Sequence, residues 1–295
     1  MKTNTKTSFI LGEEWLYYKI YTGFATTDAI LYNQLYPIIT GLLRDGLIDK
    51  WFFIRYTDPE HHLRLRLHLI KPEHIGTVIL AFQHVFRRLT DQHSVWKIQT
   101  DTYERELDRY GHELIEQAET LFFYDSECIV NLLSVLETTD DENEKWITGM
   151  AAIDTFLDVF RYDFEAKRAL MEQLRTSFFK EFKVGTGTKK ELSTKYRNHK
   201  NEIERFMKLT SQTNDLKAIL DKRNSNITEQ ADNIREQLSD PVTINTLLGS
   251  YIHMTMNRLF DSNNRQCEMI LYDLLCSYYT SVLARQKKEQ QVLSE

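Results

Sequence analysis

Residues 61–69 read HHLRLRLHL, in which leucine alternates with histidine or arginine from His62 onward. Side chains of a strand point to its two faces in turn, so this pattern predicts a strand with two different faces. Leu63, Leu65, Leu67 and Leu69 share one face, and His62, Arg64, Arg66 and His68 share the other. The leucine face requires a core. The opposite face sets two guanidinium groups roughly 7 Å apart along the strand. They are always charged, and their forks match carboxylate or phosphate oxygens. A solvated strand face or a structural ion pair would use the same spacing, so anion binding and a structural role both stand open here. The preceding run, WFFIRYT, predicts a partner strand, with TDPE as the turn.

The neighbouring segments extend this pair into a sheet. EWLYYKIYT at 14–22 predicts a strand ended by Gly23. Thr26, Thr27 or Asp28 can cap a helix over about 28–46, and Pro72 suits the first turn of a helix over about 72–89. VWKIQTDTY at 95–103 predicts a further strand. The order β-α-β-β-α-β is a ferredoxin-like split βαβ pattern. It places helices on one face of the sheet and leaves the other face for a site or a partner. Beyond about residue 104 strand signals fade. Amphipathic helices are expected over about 112–137, 142–159, 163–183, 189–207, 213–237 and 241–285, with a frayed tail from 286. The fold class is therefore α+β, with a sheet lobe over 1–110 packed on a mostly helical region over 111–295. The whole of 1–295 is expected to work as one functional domain with its site between the two parts.

Composition narrows the function classes. The 295 residues are 42% hydrophobic, which supports a real core. A net charge of −6 argues against a nucleic-acid coat, so no direct nucleic-acid partner is expected. Cys128, Cys267 and Cys276 are odd in number and widely spaced, as suits reduced thiols in the cytoplasm. The first fifteen residues carry too short an apolar run for a signal peptide, and no run of 18 apolar residues predicts a membrane span.

Two more segments carry candidate chemistry. DTYERELDRYG at 101–111 supplies Arg105 and Arg109, on one face if helical. The acids Glu104, Glu106 and Asp108 make a local salt-bridge network an equal candidate. SYIHMTMNRLF at 250–260 places Ser250, His253 and Asn257 on one stripe of a helix. A histidine there is either a satisfied core residue or a group able to move a proton near neutral pH. His61, His62 and His68 do not suggest a metal site, because His61 and His62 face opposite ways and no nearby carboxylate completes a set. No phosphate-binding loop, dinucleotide fingerprint or zinc-protease motif occurs.

Taken in order, WFFIRYTDPEHHLRLRL, YERELDRYG, FFYDS at 122–126 and SYIHMTMNRLF resemble the C-terminal domain of lantibiotic dehydratases, also described as thiopeptide-type bacteriocin biosynthesis proteins. The resemblance runs from Glu14 to about Arg285. It implies elimination of glutamate from O-glutamylated Ser or Thr of a precursor peptide, leaving dehydroalanine or dehydrobutyrine. It places Arg64, Arg66 and Arg105 on the glutamyl-binding arginines and His253 on the catalytic histidine, with no cofactor and no metal. Arg109 lies one turn from Arg105, and Arg55, Tyr56 and Asn257 are supports without an assigned role. The implied partners are a precursor peptide with its leader and a separate tRNA-dependent glutamylating subunit, and the implied assembly is a homodimer. The same family includes pyridine synthases, which join two dehydroalanines in a formal aza-[4+2] cycloaddition. A non-catalytic subunit that binds the precursor peptide at a sheet edge is the third reading.

Overall fold

The computed structural model describes residues 5–138, 142–208 and 215–293. The chain divides into two compact units: Met1–Glu137 with Asn257–Ser262, and Thr138–Met256 with Asn263–Glu295.

In the first unit a short strand β1 (Ser8–Phe9) precedes β2 (Trp15–Thr22), α1 (Phe24–Ile30), a π-helical turn (Leu31–Leu35) and α2 (Tyr36–Arg44). The helix expected over 28–46 thus starts earlier, at Phe24, and is interrupted by a π-helical turn. Pro37 has no N–H to donate, and the widened turn before it absorbs the missing bond. Strands β3 (Ile48–Thr57) and β4 (His61–Leu69) follow, then a 3-10 turn, α3 (Ile75–Asp91) and β5 (Val95–Thr100). The four long strands form an antiparallel sheet in the order β3-β4-β2-β5. This is the split βαβ arrangement expected from the strand and helix order, and the fold class is α+β.

The register fixes both faces. Leu63, Leu65, Leu67 and Leu69 are fully buried, with Trp51 and Phe53 of β3 and Leu16, Tyr18 and Ile20 of β2 on the same side. Helices α1 to α3 cover that side, where Tyr18 meets Phe82 and Phe86 of α3 and His61 stacks on Phe24 of α1. Each such leucine contributes roughly 1.5–3 kcal/mol by leaving water. On the cationic side Arg66 aligns with Tyr17 and Phe52, Arg64 with Lys19 and Ile54, and His62 with Tyr21 and Tyr56.

That second face is partly covered by the chain itself. After Thr100 the chain leaves the sheet, and β6 (Tyr103–Glu104) pairs with β1. Tyr103 then packs edge-on against Trp15 and Phe52. These aromatic rings would be costly to leave in water, and the β1–β6 ribbon closes over them. Residues 101–111 do not form one helix. Only α4 (Leu107–Tyr110) is helical, so Arg105 and Arg109 share no helical face.

Helix α5 (Ile115–Leu136) runs along β3 and carries the first unit to Glu137, past the residue 110 suggested by composition. It helps seal the outer edge of β3. Phe53 N–H donates to Ser126 Oγ (3.3 Å), and Arg258 Nε donates to the Phe53 carbonyl (2.8 Å). The Asn257 amide accepts from Arg55 N–H and donates to the Arg55 carbonyl, both at 2.9 Å. This edge therefore cannot take a peptide strand without losing those bonds.

The described residues of the second unit are helical: α6 (Glu142–Val159), α7 (Phe164–Glu181), α8 (Thr186–Lys208), α9 (Asp215–Gln237), α10 (Pro241–Leu259, up to Met256) and α11 (Asn264–Leu293). The long helix expected over 241–285 is two helices. Asn263 adopts a left-handed conformation (φ 52°) at the break, which asparagine tolerates better than most residues. The tail is helical to Leu293 rather than frayed from 286. The polar segment before α10 is held as a helix by one buried stripe, Leu216, Leu220, Arg223, Ile227, Ala231 and Ile234. The expected start of that helix at 213 lies outside the described residues.

Candidate active site

Arg66 is the centre of the cationic face. It is 7% exposed, and its Cζ lies 4.6 Å from the Tyr17 ring, 5.1 Å from Phe52 and 4.7 Å from Tyr103. Its buried Nε has no hydrogen-bond partner. Among the described residues no carboxylate pairs with it. Burial pulls the guanidinium below its usual pKa range. A buried cation without an acid is expensive, and aromatic faces offset only part of that cost.

Arg64, two residues earlier, lies over Tyr56 with Cζ 3.4 Å from the ring centroid. Its Nε donates to His62 Nε2 (3.3 Å). Among the described residues its two terminal nitrogens make no protein hydrogen bond or ion pair. Lys19, beside it on β2, is already paired with Asp101. The face thus keeps two guanidinium groups unneutralised, which is what an anion site requires.

Arg105 behaves differently. Its Nε and one terminal nitrogen grip both oxygens of Glu119, each at 2.7 Å, and the other terminal nitrogen donates to the Lys6 carbonyl (3.2 Å). Both side chains of the pair are almost fully buried. Glu119 also accepts from the Tyr103 hydroxyl (2.9 Å). The fork of Arg105 is filled, and through Glu119 it fixes the ring that walls Arg66. Arg109 is exposed and pairs with Glu106 (3.2 Å). Arg55 is buried against Asp28 (2.5 Å) and the Arg258 carbonyl, so it belongs to the scaffold.

In the second unit His253 sits on α10, with Nδ1 2.7 Å from Glu268 Oε1 of α11. Glu268 is fully buried, and its other oxygen accepts from the Tyr272 hydroxyl (3.1 Å). Burial holds that hydroxyl well above the usual tyrosine range, so it stays a donor. The ring is 29% exposed, and the bond at Nδ1 fixes its orientation. This is the arrangement of a base held by a carboxylate that stabilises the imidazolium once it forms. The stripe expected on this helix separates by role: Ser250 donates to the Thr246 carbonyl, and Asn257 clamps β3 in the first unit.

Sequence reading missed Glu119, Tyr103 and Glu268 as parts of these clusters. Tyr103 and Glu119 are 16 residues apart, and His253 and Glu268 are 15 apart across a helix break, so no short spacing announces either pair. Among the described residues no group of three or more His, Cys, Asp and Glu is placed to hold a metal, and no helix is long and apolar enough to cross a membrane.

Comparison with known proteins gives these clusters a context. The subtilin biosynthesis protein SpaB of Bacillus subtilis is 28% identical over 272 residues, covering 88% of this chain and 25% of SpaB. The nisin biosynthesis protein NisB of Lactococcus lactis subsp. lactis is 31% identical over 130 residues, covering 44% of this chain and 13% of NisB. The chain thus spans about a quarter or less of the length of these relatives. The crystal structure of the tRNA-dependent lantibiotic dehydratase MibB from Microbispora sp. 107891 shares the fold, with a TM-score of 0.77 and 21% identity over 94% of this chain and 29% of MibB. The pyridine synthase TbtD from thiomuracin biosynthesis shares it at a TM-score of 0.62 and 10% identity, over 92% of this chain and 99% of TbtD. Residues 15–279 match the family described as lantibiotic biosynthesis dehydratase C-term, and the chain belongs to that family.

Proposed function

We propose that this chain eliminates glutamate from O-glutamylated Ser or Thr of a ribosomal precursor peptide. The observation that carries this reading is Arg66, a buried guanidinium without an acid, beside Arg64 with its terminal nitrogens free. Arg64 and Arg66 hold the glutamyl carboxylate and the negative charge that develops on the reacting ester. His253, oriented by Glu268, takes the Cα proton. The C–H electron pair becomes the Cα=Cβ bond, the Cβ–Oγ bond breaks, and glutamate leaves as a carboxylate. Dehydroalanine or dehydrobutyrine remains. Arg105 supports the site by fixing Tyr103 through Glu119. Glutamylation of the peptide belongs to a separate tRNA-dependent catalytic unit.

The likeness to TbtD over nearly its whole length keeps a pyridine-synthase reading in play. A cycloaddition has no glutamate to hold, however, and would leave the uncompensated arginine pair without a purpose. The deciding experiment is mass spectrometry of a peptide carrying one O-glutamyl serine after incubation with the purified protein. Loss of glutamate to give dehydroalanine, abolished in His253→Ala, is the expected result. A bound but unchanged glutamyl peptide would overturn elimination, and a peptide carrying two dehydroalanines would then be the substrate to try.

A further inference from the structure

His62 is a buried polar group on the cationic face that the reaction above does not use. It is 1% exposed, enclosed by Tyr21 of β2 (ring centroids 4.7 Å apart) and Tyr56 of β3 (5.7 Å). Both of its nitrogens are engaged, and their partners dictate its protonation. Nδ1 lies 2.8 Å from the Glu60 carbonyl, which can only accept, so Nδ1 carries the hydrogen. Arg64 Nε–H can only donate, so Nε2 presents a lone pair. The ring is therefore the neutral Nδ1–H tautomer. The consequence falls on Arg64: with its Nε bound and its Cζ held 3.4 Å over the Tyr56 ring, the guanidinium offers its two terminal nitrogens.

We propose that His62 is a positioning residue that clamps Arg64 by accepting its Nε–H, so that the terminal edge of this guanidinium is presented to the glutamyl carboxylate. The idea rests on the elimination reading and deepens it. Protonated His62 would set N–H against N–H and release the clamp. The groups facing the ring oppose that protonation on balance. Burial, Arg64 and Lys19 hold its pKa below the ordinary histidine value, while the Glu60 carbonyl and the Asp58 carboxylate favour the charged form. Lys97 stands farther out, over Tyr21, and the Glu60 carboxylate is engaged by Trp96 Nε1 (3.4 Å). The clamp is therefore closed at neutral pH and opens as pH falls. The glutamate side chain itself stays mostly ionised down to about pH 5.

The test is binding of a short peptide whose central 2,3-diaminopropionate is acylated by glutamate, an amide unable to eliminate. For the wild-type protein the Kd seen at pH 7.5 should weaken about tenfold once the pH is low enough to protonate His62, below the ordinary histidine range, the size of one charge-assisted hydrogen bond. His62→Gln supplies an amide oxygen that accepts at any pH, so its Kd should stay near the neutral wild-type value throughout. His62→Phe should bind about tenfold more weakly at neutral and low pH alike. A His62→Gln variant that keeps the wild-type pH dependence would overturn the proposal. So would a folded His62→Phe that binds like wild type. The clamp is also read without ligand, as a slowly exchanging Arg64 Nε–H resonance in NMR, present at pH 7.5 and lost as the pH falls below the ordinary histidine range. Its absence at pH 7.5 would reject the clamp. Equal wild-type affinity for a peptide acylated by glutamine would instead defeat the carboxylate-binding reading of the arginine face, and the Nε–H resonance would still decide the role of His62.

Discussion

Arg66 and Arg105 sit at opposite ends of one side chain. Arg66 packs on the ring of Tyr103, and Arg105 shares Glu119 with the hydroxyl of the same tyrosine. One guanidinium has a carboxylate on its fork and the other has none. Arg55 with Asp28 and Arg258 with Asp125 follow the Arg105 pattern. Burying a charge is costly, and a protein that merely needed to fill this space could have used an apolar chain. The paired arginines hold elements together, whereas in the proposed reaction the unpaired ones meet a group that arrives with the opposite sign. The residue type is the same; the presence or absence of an acid divides the roles.

The largest expected effect breaks the paired side of this comparison. Arg105→Ala leaves Glu119 buried without its counter-ion, which should cost about 3–5 kcal/mol of stability. Thermal unfolding measures it. The informative companion is the double change Arg105→Met with Glu119→Leu, which removes both charges and should recover most of the stability. If the double variant also regains glutamate elimination, Arg105 acts through packing. Recovered folding without activity would show instead that Arg105 touches the substrate, as the family resemblance implies.

The unpaired side responds in the opposite sense. Arg66→Met keeps the volume of the side chain and removes a charge that no acid neutralises, so the melting temperature should hold or rise. Elimination should fall by about a hundredfold or more, the worth of a charge-assisted contact of roughly 2–3 kcal/mol. A marked loss of stability in Arg66→Met would mean that Arg66 is scaffold and that the division drawn above is wrong.

The sheet was legible in the sequence because its pattern is local. The alternation in HHLRLRLHL is visible in nine residues, and the split βαβ order needs only the sequence of elements. The pairing of Arg64 with Arg66 on one face followed from the same period. The state of those arginines did not. Tyr103 reaches Arg66 by leaving the sheet and pairing with Ser8–Phe9, a contact nearly a hundred residues apart in the chain. Glu119 claims Arg105 from a helix whose pattern suggests only a core stripe. The same holds for Glu268, whose sequence surroundings, CEMILYD, look like an ordinary buried helix turn. Residue types announced the chemistry, and long-range partners decided which copies of each type were free to perform it.

His253 carries the comparison into the second unit, and its partner Glu268 has the smallest predicted effect. In the proposed reaction His253 is the base, yet unlike Arg66 it has a buried carboxylate attached. The difference follows from what each group has to do. An anion binder must stay uncompensated, whereas a group that accepts a proton during reaction gains from a carboxylate that stabilises the charge it acquires. Glu268→Gln keeps the size of the side chain and a hydrogen bond to Nδ1, and removes that stabilisation. The expected result is a fall in kcat of roughly tenfold, about 1.4 kcal/mol, with KM for the glutamyl peptide unchanged. Arg66→Met should spread its loss over KM as well, because it removes a contact made by the bound substrate. If Glu268→Gln raised KM and spared kcat, Glu268 would be organising substrate binding, and His253 would lose its place as the group that moves the proton.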